Sequence, residues 1–310
     1  VYMKEIYLPA TDRKNKLHVV IWEPDTDIRA IVQISHGMIE YVTRYDEFAE
    51  FLNKHGILVI GNDHLGHGLT ASGDDDLGYF CENNMSRNVV ADLHRVTIYA
   101  KKHYGNGIPY VLFGHSMGSF MARRYMMTYG NELDGIILEG TGRQSWLKLA
   151  VGMLSVGIIG AVKGDRHRTT FLRKAAFNRY NSHIENPRSD NDWISKDMER
   201  VDKYNADKYC TFLFTVNGYK TLLETLAFIQ NPRHIKHIPK KLPILMISGD
   251  EDPVGNYGKG VKQVYRTYKR AGIRNIKVRL YKDDRHELIN EIDRVRVFND
   301  VLKWIDLYIV

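Results

Sequence analysis

The sequence predicts an α/β protein whose mostly parallel sheet is flanked by helices and carries an inserted helical segment. Three observations predict it. Short runs rich in Val, Ile and Leu alternate with longer segments in which apolar residues recur every three or four positions. Most of the short runs are continuously apolar, as strands covered on both faces should be. Finally, about a hundred residues between two of these runs have helical character and no strand pattern, too long for a plain loop.

An opening hairpin is expected from Lys4–Leu8 and Leu17–Trp22, joined by the polar stretch Thr11–Asn15. The parallel strands are expected at Ala30–Ser35, Ile57–Asn62, Tyr110–Gly114, Gly135–Glu139, Ile244–Ser248 and Ile276–Tyr281. Helices are expected at Tyr45–His55, Asn84–His103, Met117–Tyr129, Gly258–Ala271 and Glu291–Tyr308. The division that follows is a core of residues 1–141 and 237–310, interrupted by an insertion over 142–236.

The chain has 310 residues, 44% hydrophobic and 26% charged, enough apolar material for a large core and no sign of disorder. Its net charge of +7 comes from scattered basic residues without an aromatic-and-basic module, so no nucleic acid partner is expected. Cys81 and Cys210 lie far apart with no metal-type spacing, which predicts neither a disulfide framework nor a zinc site. With no leader pattern in the first residues, a cytoplasmic protein is expected. The longest apolar run, Leu149–Val162, has 14 residues interrupted by Gly152, Gly157 and Gly160. That is short of the roughly 20 that span a bilayer, and no crossing is expected.

The chemistry centres on Gly114-His115-Ser116-Met117-Gly118, a G-x-S-x-G motif between an expected strand and an expected helix. A serine on so sharp a turn is held in a strained conformation with its hydroxyl exposed, and Gly114 and Gly118 let neighbouring chain pass close by. His115 is expected inside this elbow, pointing away. The N-terminus of the following helix favours an anion at the same spot, which makes the Met117 N–H an oxyanion donor.

A serine hydroxyl is a weak nucleophile until a base removes its proton. Of the 13 histidines, His286 follows the last strand and its turn and opens the last helix, at the carboxyl edge of the sheet where catalytic groups gather. The acid belongs in the turn after the preceding strand, where Asp250, Glu251 and Asp252 compete. Asp252 is preferred because Pro253 biases it away from helix and Gly249 leaves room for the side chain to turn inwards; Asp250 is the fallback. The strand Ala30–Ser35 ends in His36-Gly37-Met38, and the Met38 N–H is expected as the second oxyanion donor.

Three segments are together specific: His36-Gly37-Met38 with Glu40 and Arg44-Tyr45, then Asp63-His64-Leu65-Gly66-His67-Gly68, then Gly114–Gly118. Through them the chain resembles the monoacylglycerol lipase and lysophospholipase branch of the α/β-hydrolase fold, the group also called serine aminopeptidase S33-like. The resemblance spans most of the core. It implies the same triad of Ser116, Asp252 and His286, and makes the Asp63–Gly68 segment structural rather than a metal site. It also implies that the insertion is a cap folded over Ser116 that determines what enters.

Within that cap, Trp146–Val162 carries Lys148 as its single charge. Two readings stand: an outer apolar face that receives a lipid tail or makes peripheral membrane contact, or a helix buried against the core. Asn191–Asp197 and Tyr204–Phe212 are similar to cap segments of bacterial members, and their aromatic residues are expected to shape the acyl pocket.

The expected reaction is ester hydrolysis through an acyl-enzyme, with no metal or organic cofactor. Monoacylglycerols, lysophospholipids or other small acyl esters are the implied substrates. Two rivals remain: a peptidase or amidase using the same triad, and a ligand-binding protein that retains the fold without turnover. Epoxide hydrolase and haloalkane dehalogenase relatives carry aspartate at the elbow, which Ser116 excludes.

Overall fold

The computed structural model describes residues 2–310. The chain opens with a hairpin, β1 (Tyr2–Pro9) and β2 (Lys16–Glu23), in register from Tyr2 opposite Glu23 to Pro9 opposite Lys16. Then come β3 (Ala30–Ser35), α1 (Asp46–Asn53), β4 (Ile57–Asn62), α2 (Met85–Tyr104), β5 (Tyr110–His115), α3 (Met117–Tyr129) and β6 (Gly135–Glu139). The insertion follows, with α4 (Trp146–Lys163), α5 (Thr170–Phe177), α6 (Met198–Ala206), α7 (Val216–Gln230) and α8 (Pro232–Ile235). The core resumes with β7 (Ile244–Gly249), α9 (Lys259–Arg270), β8 (Ile276–Tyr281) and α10 (Arg294–Tyr308).

One eight-stranded sheet, ordered β1-β2-β4-β3-β5-β6-β7-β8, organises these elements. β2 runs antiparallel to both neighbours, and every pair from β4 to β8 is parallel. Because side chains alternate across a strand, consecutive residues feed opposite layers. Leu112 and Ile136 join the layer under α2, α3 and α9, whereas Phe113 and Ile137 join that under α1 and α10. The parallel strands point their carboxyl ends the same way, and β3, β5, β7 and β8 therefore deliver their following loops to one edge.

Four expectations change. β8 is not continuously apolar: Lys277 and Arg279 alternate with Ile276, Val278 and Leu280, because it is the edge strand and is covered on one face only. The last helix begins at Arg294 rather than Glu291, so His286 does not open it. His286 precedes a single 3-10 turn, Leu288–Asn290, instead. The apolar run of the insertion extends to an 18-residue helix, α4, long and apolar enough by length and composition to cross a membrane, with 11% of it buried. Its glycines do not break it, since a helix packed on one side tolerates them at a cost of about 1 kcal/mol each.

α4 lies along α7 with both ends tied down. Gln144 and Gln230 exchange two hydrogen bonds, the Gln144 amide donating at 2.8 Å and the Gln230 amide group at 3.0 Å. At the far end Lys220 pairs with Asp165 at 2.9 Å, and the Asn217 amide donates to the Asp165 carbonyl at 2.9 Å. Leu149 and Val156 face inwards, while Leu147, Leu154 and Val162 are 75%, 65% and 77% exposed.

Phe113 has its ring centroid 5.2 Å from that of Phe48 and 6.3 Å from that of Tyr45, and Phe48 sits 5.1 Å from Phe298. This aromatic set joins β5 to α1 and α10. Phe113→Ala is expected to cost about 3–5 kcal/mol, read as a lower urea midpoint in equilibrium unfolding; an unchanged midpoint contradicts this account of the layer.

Candidate active site

The turn from β5 into α3 brings a close crossing of chains. A Cβ at Gly118 would collide with the carbonyl oxygens of Ser35 and His36, and one at Gly114 would lie 2.6 Å from the Gly118 carbonyl oxygen. Only glycine lets α3 start so near the end of β3. Between the two glycines Ser116 is held at φ 50° and ψ −120°, a conformation that L residues adopt only under constraint. Its amide donates to the Glu139 carbonyl at 2.9 Å, which fixes the elbow to β6.

The Asp252 carboxylate and the His286 ring, 34 residues apart, meet at 2.9 Å between Oδ1 and Nδ1. Asp252 is fully buried and His286 is 2% exposed. The Val254 amide donates to the same Asp252 oxygen at 2.8 Å and the Ser248 hydroxyl to the other at 3.2 Å, which locks the carboxylate's orientation. With Nδ1 donating to Asp252, His286 Nε2 keeps a free lone pair, and it has no hydrogen-bond partner. The contest among the three acids resolves physically: Asp250 accepts the Asp283 amide at 2.7 Å in the neighbouring turn, and Glu251 is exposed beside His183.

The His286 ring packs against the elbow, its centroid 4.7 Å from that of His115. Gly140 passes its other side so closely that a Cβ there would lie 2.7 Å from Cε1. No hydrogen bond joins Ser116 Oγ to His286 Nε2 in this arrangement, a common state of unliganded serine–histidine pairs.

Gly37 lies against Ser116, since a Cβ on it would be 3.2 Å from Ser116 Cβ. Met38 is the next residue, so its amide belongs to chain already in contact with the elbow. Met117 is the first residue of α3, and its N–H has no acceptor one turn back. Both residues expected to donate to an oxyanion thus belong to chain that adjoins Ser116.

His115 does not simply point away. Its ring is buried between Glu139, 3.4 Å away, and Glu40, 4.0 Å away. Burial disfavours its charged form, but the carboxylate of Glu139, with that of Glu40, outweighs this and pushes it up to about 9. Glu40 Oε1 accepts the Gly37 amide and the Tyr45 hydroxyl. Arg44 bridges Glu40 at 2.8 Å and grips Glu287 with two bonds of 2.9 and 2.7 Å. Burial opposes ionisation of Glu287, yet Arg44 holds its carboxyl down at about 2. Glu287, the residue after His286, is therefore clamped to the loop after β3.

Asp63, His64 and His67 are engaged in structure. Asp63 accepts from His18 Nδ1 and from the amides of Val42 and Leu69, each at 2.8 Å. Burial lowers His64 to about 3 and His67 to about 4, which leaves both neutral. Among the described residues no group of three or more His, Cys, Asp or Glu is arranged to hold a metal ion.

Glu139 and Glu287 carry weight here that sequence reasoning missed, whereas Trp193 belongs to a segment whose aromatic residues were expected to shape the acyl pocket. Trp193 lies 5.0 Å from the His286 ring and joins Phe177 and Tyr180 of the insertion beside it. A carboxylate closing an otherwise apolar strand, and another directly after the base, were the available signals for Glu139 and Glu287.

Comparison with known proteins agrees with this geometry. Residues 26–293 match the serine aminopeptidase S33 family. A monoglyceride lipase homolog of monkeypox virus is 29% identical over 291 residues, covering 92% of each chain. A monoacylglycerol lipase of Mycolicibacterium smegmatis is 27% identical, covering 92% of this chain and 91% of its own. Among solved structures, a thermostable carboxyl esterase from Bacillus coagulans in complex with glycerol superposes with a TM-score of 0.93 at 28% identity over the full length of both chains. The sheet order, the serine elbow and the extent of these matches lead to one conclusion: the chain belongs to the serine aminopeptidase S33 family of α/β-hydrolases.

Proposed function

We propose that this chain hydrolyses carboxylic esters through Ser116, with His286 as general base and Asp252 as the acid that orients it. The observation that carries the reading is the buried Asp252–His286 hydrogen bond of 2.9 Å, which leaves Nε2 free beside an elbow whose half-buried serine is held at positive φ. Ser116 Oγ attacks the ester carbonyl as His286 takes its proton. The tetrahedral oxyanion is held by the Met38 and Met117 amides, and the proton passes to the departing alcohol. Water then attacks the acyl-enzyme by the same base and releases the carboxylic acid.

The substrate class is a monoacylglycerol, a lysophospholipid or a similar small acyl ester, with the insertion as a cap over Ser116. Support comes from the relatives named as monoacylglycerol lipases and from the apolar residues of the insertion, which pack in one cluster with Met38, Met117 and Val254. The family's name favours a second reading, removal of N-terminal residues from peptides. A free amine needs a carboxylate to receive it, and the acids nearest the elbow, Glu40, Glu139 and Glu287, are buried and already bonded to other groups. The ester reading is therefore preferred. Cys81 and Cys210 are free and buried, which suits a reducing compartment such as the cytoplasm.

We also infer peripheral contact with membranes through α4. Its outward face presents Leu147, Val151, Leu154, Ile158 and Val162, with Phe171 of α5 close in the chain. Over residues 143–184 the cations Arg143, Lys148, Lys163, Arg166, Arg168, Arg173, Lys174 and Arg179 face a single anion, Asp165. Apolar residues for the acyl boundary and cations for lipid headgroups fit a helix lying in the interface of an anionic bilayer.

Two measurements test these readings. Ser116→Ala is expected to abolish fluorophosphonate labelling and turnover of p-nitrophenyl butyrate and of monoacylglycerols, and Asp252→Asn to lower kcat by about 10³–10⁴. Retained turnover in Ser116→Ala, or faster hydrolysis of aminoacyl anilides than of any ester, would refute the ester assignment. In sedimentation with vesicles containing anionic lipid, Leu154→Asp is expected to weaken binding at least about tenfold while leaving p-nitrophenyl butyrate turnover unchanged. Equal binding by both proteins removes α4 from the contact.

A further inference from the structure

The loop that carries the Met38 amide is bracketed. On one side the Gly37 amide donates to Glu40 Oε1. On the other, Ile39 holds φ 58°, in the left-handed region that a β-branched side chain disfavours. Such a conformation persists only where the surroundings over-determine it. The carbonyl oxygen of Ile39 accepts a hydrogen bond of 2.9 Å from the hydroxyl of Tyr204, which stands on α6 of the insertion.

Tyr204 does a second thing. Its ring lies 4.9 Å from the Arg44 guanidinium, within cation–π range, and the Arg44 side chain is 12% exposed beneath it. Arg44 is the residue that joins Glu40, on the oxyanion loop, to Glu287, next to the base. Just beyond α6, Asp207 accepts the Tyr41 hydroxyl at 2.5 Å, and the Tyr41 and Tyr209 rings meet edge to face at 5.8 Å. Residues 204–209 of the insertion thus hold residues 39–44 of the core at three points.

We propose that Tyr204 is a positioning residue that sets the oxyanion loop from the insertion: its hydroxyl fixes Ile39 in the left-handed conformation that aims the Met38 amide at Ser116. This rests on the proposed role of Ser116 and of the Met38 amide. Tyr204 touches no reacting atom; it acts through Ile39. The oxyanion hole is complete when α6 is docked, and an insertion that lifts away takes one of its supports with it. An amide aimed at the oxyanion stabilises the transition state and not the bound ester, so the contribution belongs in kcat and not in KM.

The test is Tyr204→Phe, which deletes the hydroxyl and retains the ring over Arg44. With p-nitrophenyl butyrate, kcat is expected to fall about tenfold, part of the 10²–10³ assigned to a whole donor, with KM within about twofold. The inhibition constant of an alkyl trifluoromethyl ketone, which forms a tetrahedral oxyanion on the serine, is expected to rise by the same factor as kcat/KM falls. Wild-type kcat together with wild-type ketone affinity overturns the proposal. So does a rise in KM with kcat unchanged, which would make Tyr204 a wall of the substrate pocket.

Should Tyr204→Phe fail to fold, Tyr41→Phe removes a neighbouring tie on the same loop and is read by the same pair of measurements. A kcat-selective loss there matched by weaker ketone affinity supports the coupling; wild-type values overturn it. Ser116→Ala separates the two levels: turnover surviving in that variant defeats the assignment of the nucleophile itself, whereas an inert Ser116→Ala beside an unimpaired Tyr204→Phe defeats only the role of Tyr204.

Discussion

The crossing of α3 over the end of β3 is the constraint on which the rest of the site depends. Because Gly118 sits against the carbonyl oxygens of Ser35 and His36, the helix begins where the strand ends, and the two loops that need to cooperate are neighbours by construction. The same crowding drives Ser116 to positive φ. Strain of this kind costs on the order of 1–3 kcal/mol and is sustained here by eight strands of sheet and the helices that cover it. A larger residue at position 118 would separate the strand from the helix and Ser116 from the loop that follows β3.

Beneath the elbow lies a second layer of organisation, electrostatic rather than steric. Glu40, Glu139 and Glu287 are buried with Arg44 and His115 as their counter-ions. Buried ion pairs often add little net stability, because desolvation consumes what attraction returns, but breaking one leaves an uncompensated charge. Their value here is geometric. Arg44 ties the loop after β3 to Glu287, and Glu139 accepts the Ile289 amide at 3.1 Å, securing the chain just beyond His286. The Ser116 turn, the loop of residues 36–45 and the loop of residues 282–293 follow β5, β3 and β8, distant in sequence, and the network gives them a common foundation.

Much of this was legible in the residues. Short, largely apolar runs gave β3, β4 and β6 their limits because strands covered on both faces are apolar at most positions, each ending here on one polar residue, Ser35, Asn62 or Glu139. Asp252 was preferred to Asp250 and Glu251 for its proline neighbour, and its carboxylate lies in hydrogen-bond contact with His286 Nδ1. What escaped was of two kinds. β8 carries the alternation of a strand covered on one face in its own residues, Lys277 and Arg279 between apolar neighbours, but its edge position depends on strand order, a global property. The charge network escaped because Glu40, Glu139 and Glu287 look like ordinary surface residues until three separate loops bury them together. For Tyr204 and Trp193, in segments the sequence had singled out for their aromatic residues, only the partners escaped: Ile39 and His286 lie in the core, more than 90 positions away.

The insertion leaves the sheet after β6 and returns at β7, and these strands are direct neighbours. Because β6 and β7 are parallel the chain leaves at the carboxyl edge of the sheet and re-enters at the amino edge, but within the insertion Gln144 and Gln230 exchange two hydrogen bonds and close its neck. A segment anchored through such a narrow neck is a natural unit for exchange between relatives, since a transplanted version meets the same pair of stems whatever its interior. The ties from residues 204–209 to residues 39–44 set a condition on such chimaeras. A donor segment grafted without its matching partner loop would deliver a new binding chamber to a catalytic floor left slack, and substrate range and turnover would have to be recovered together.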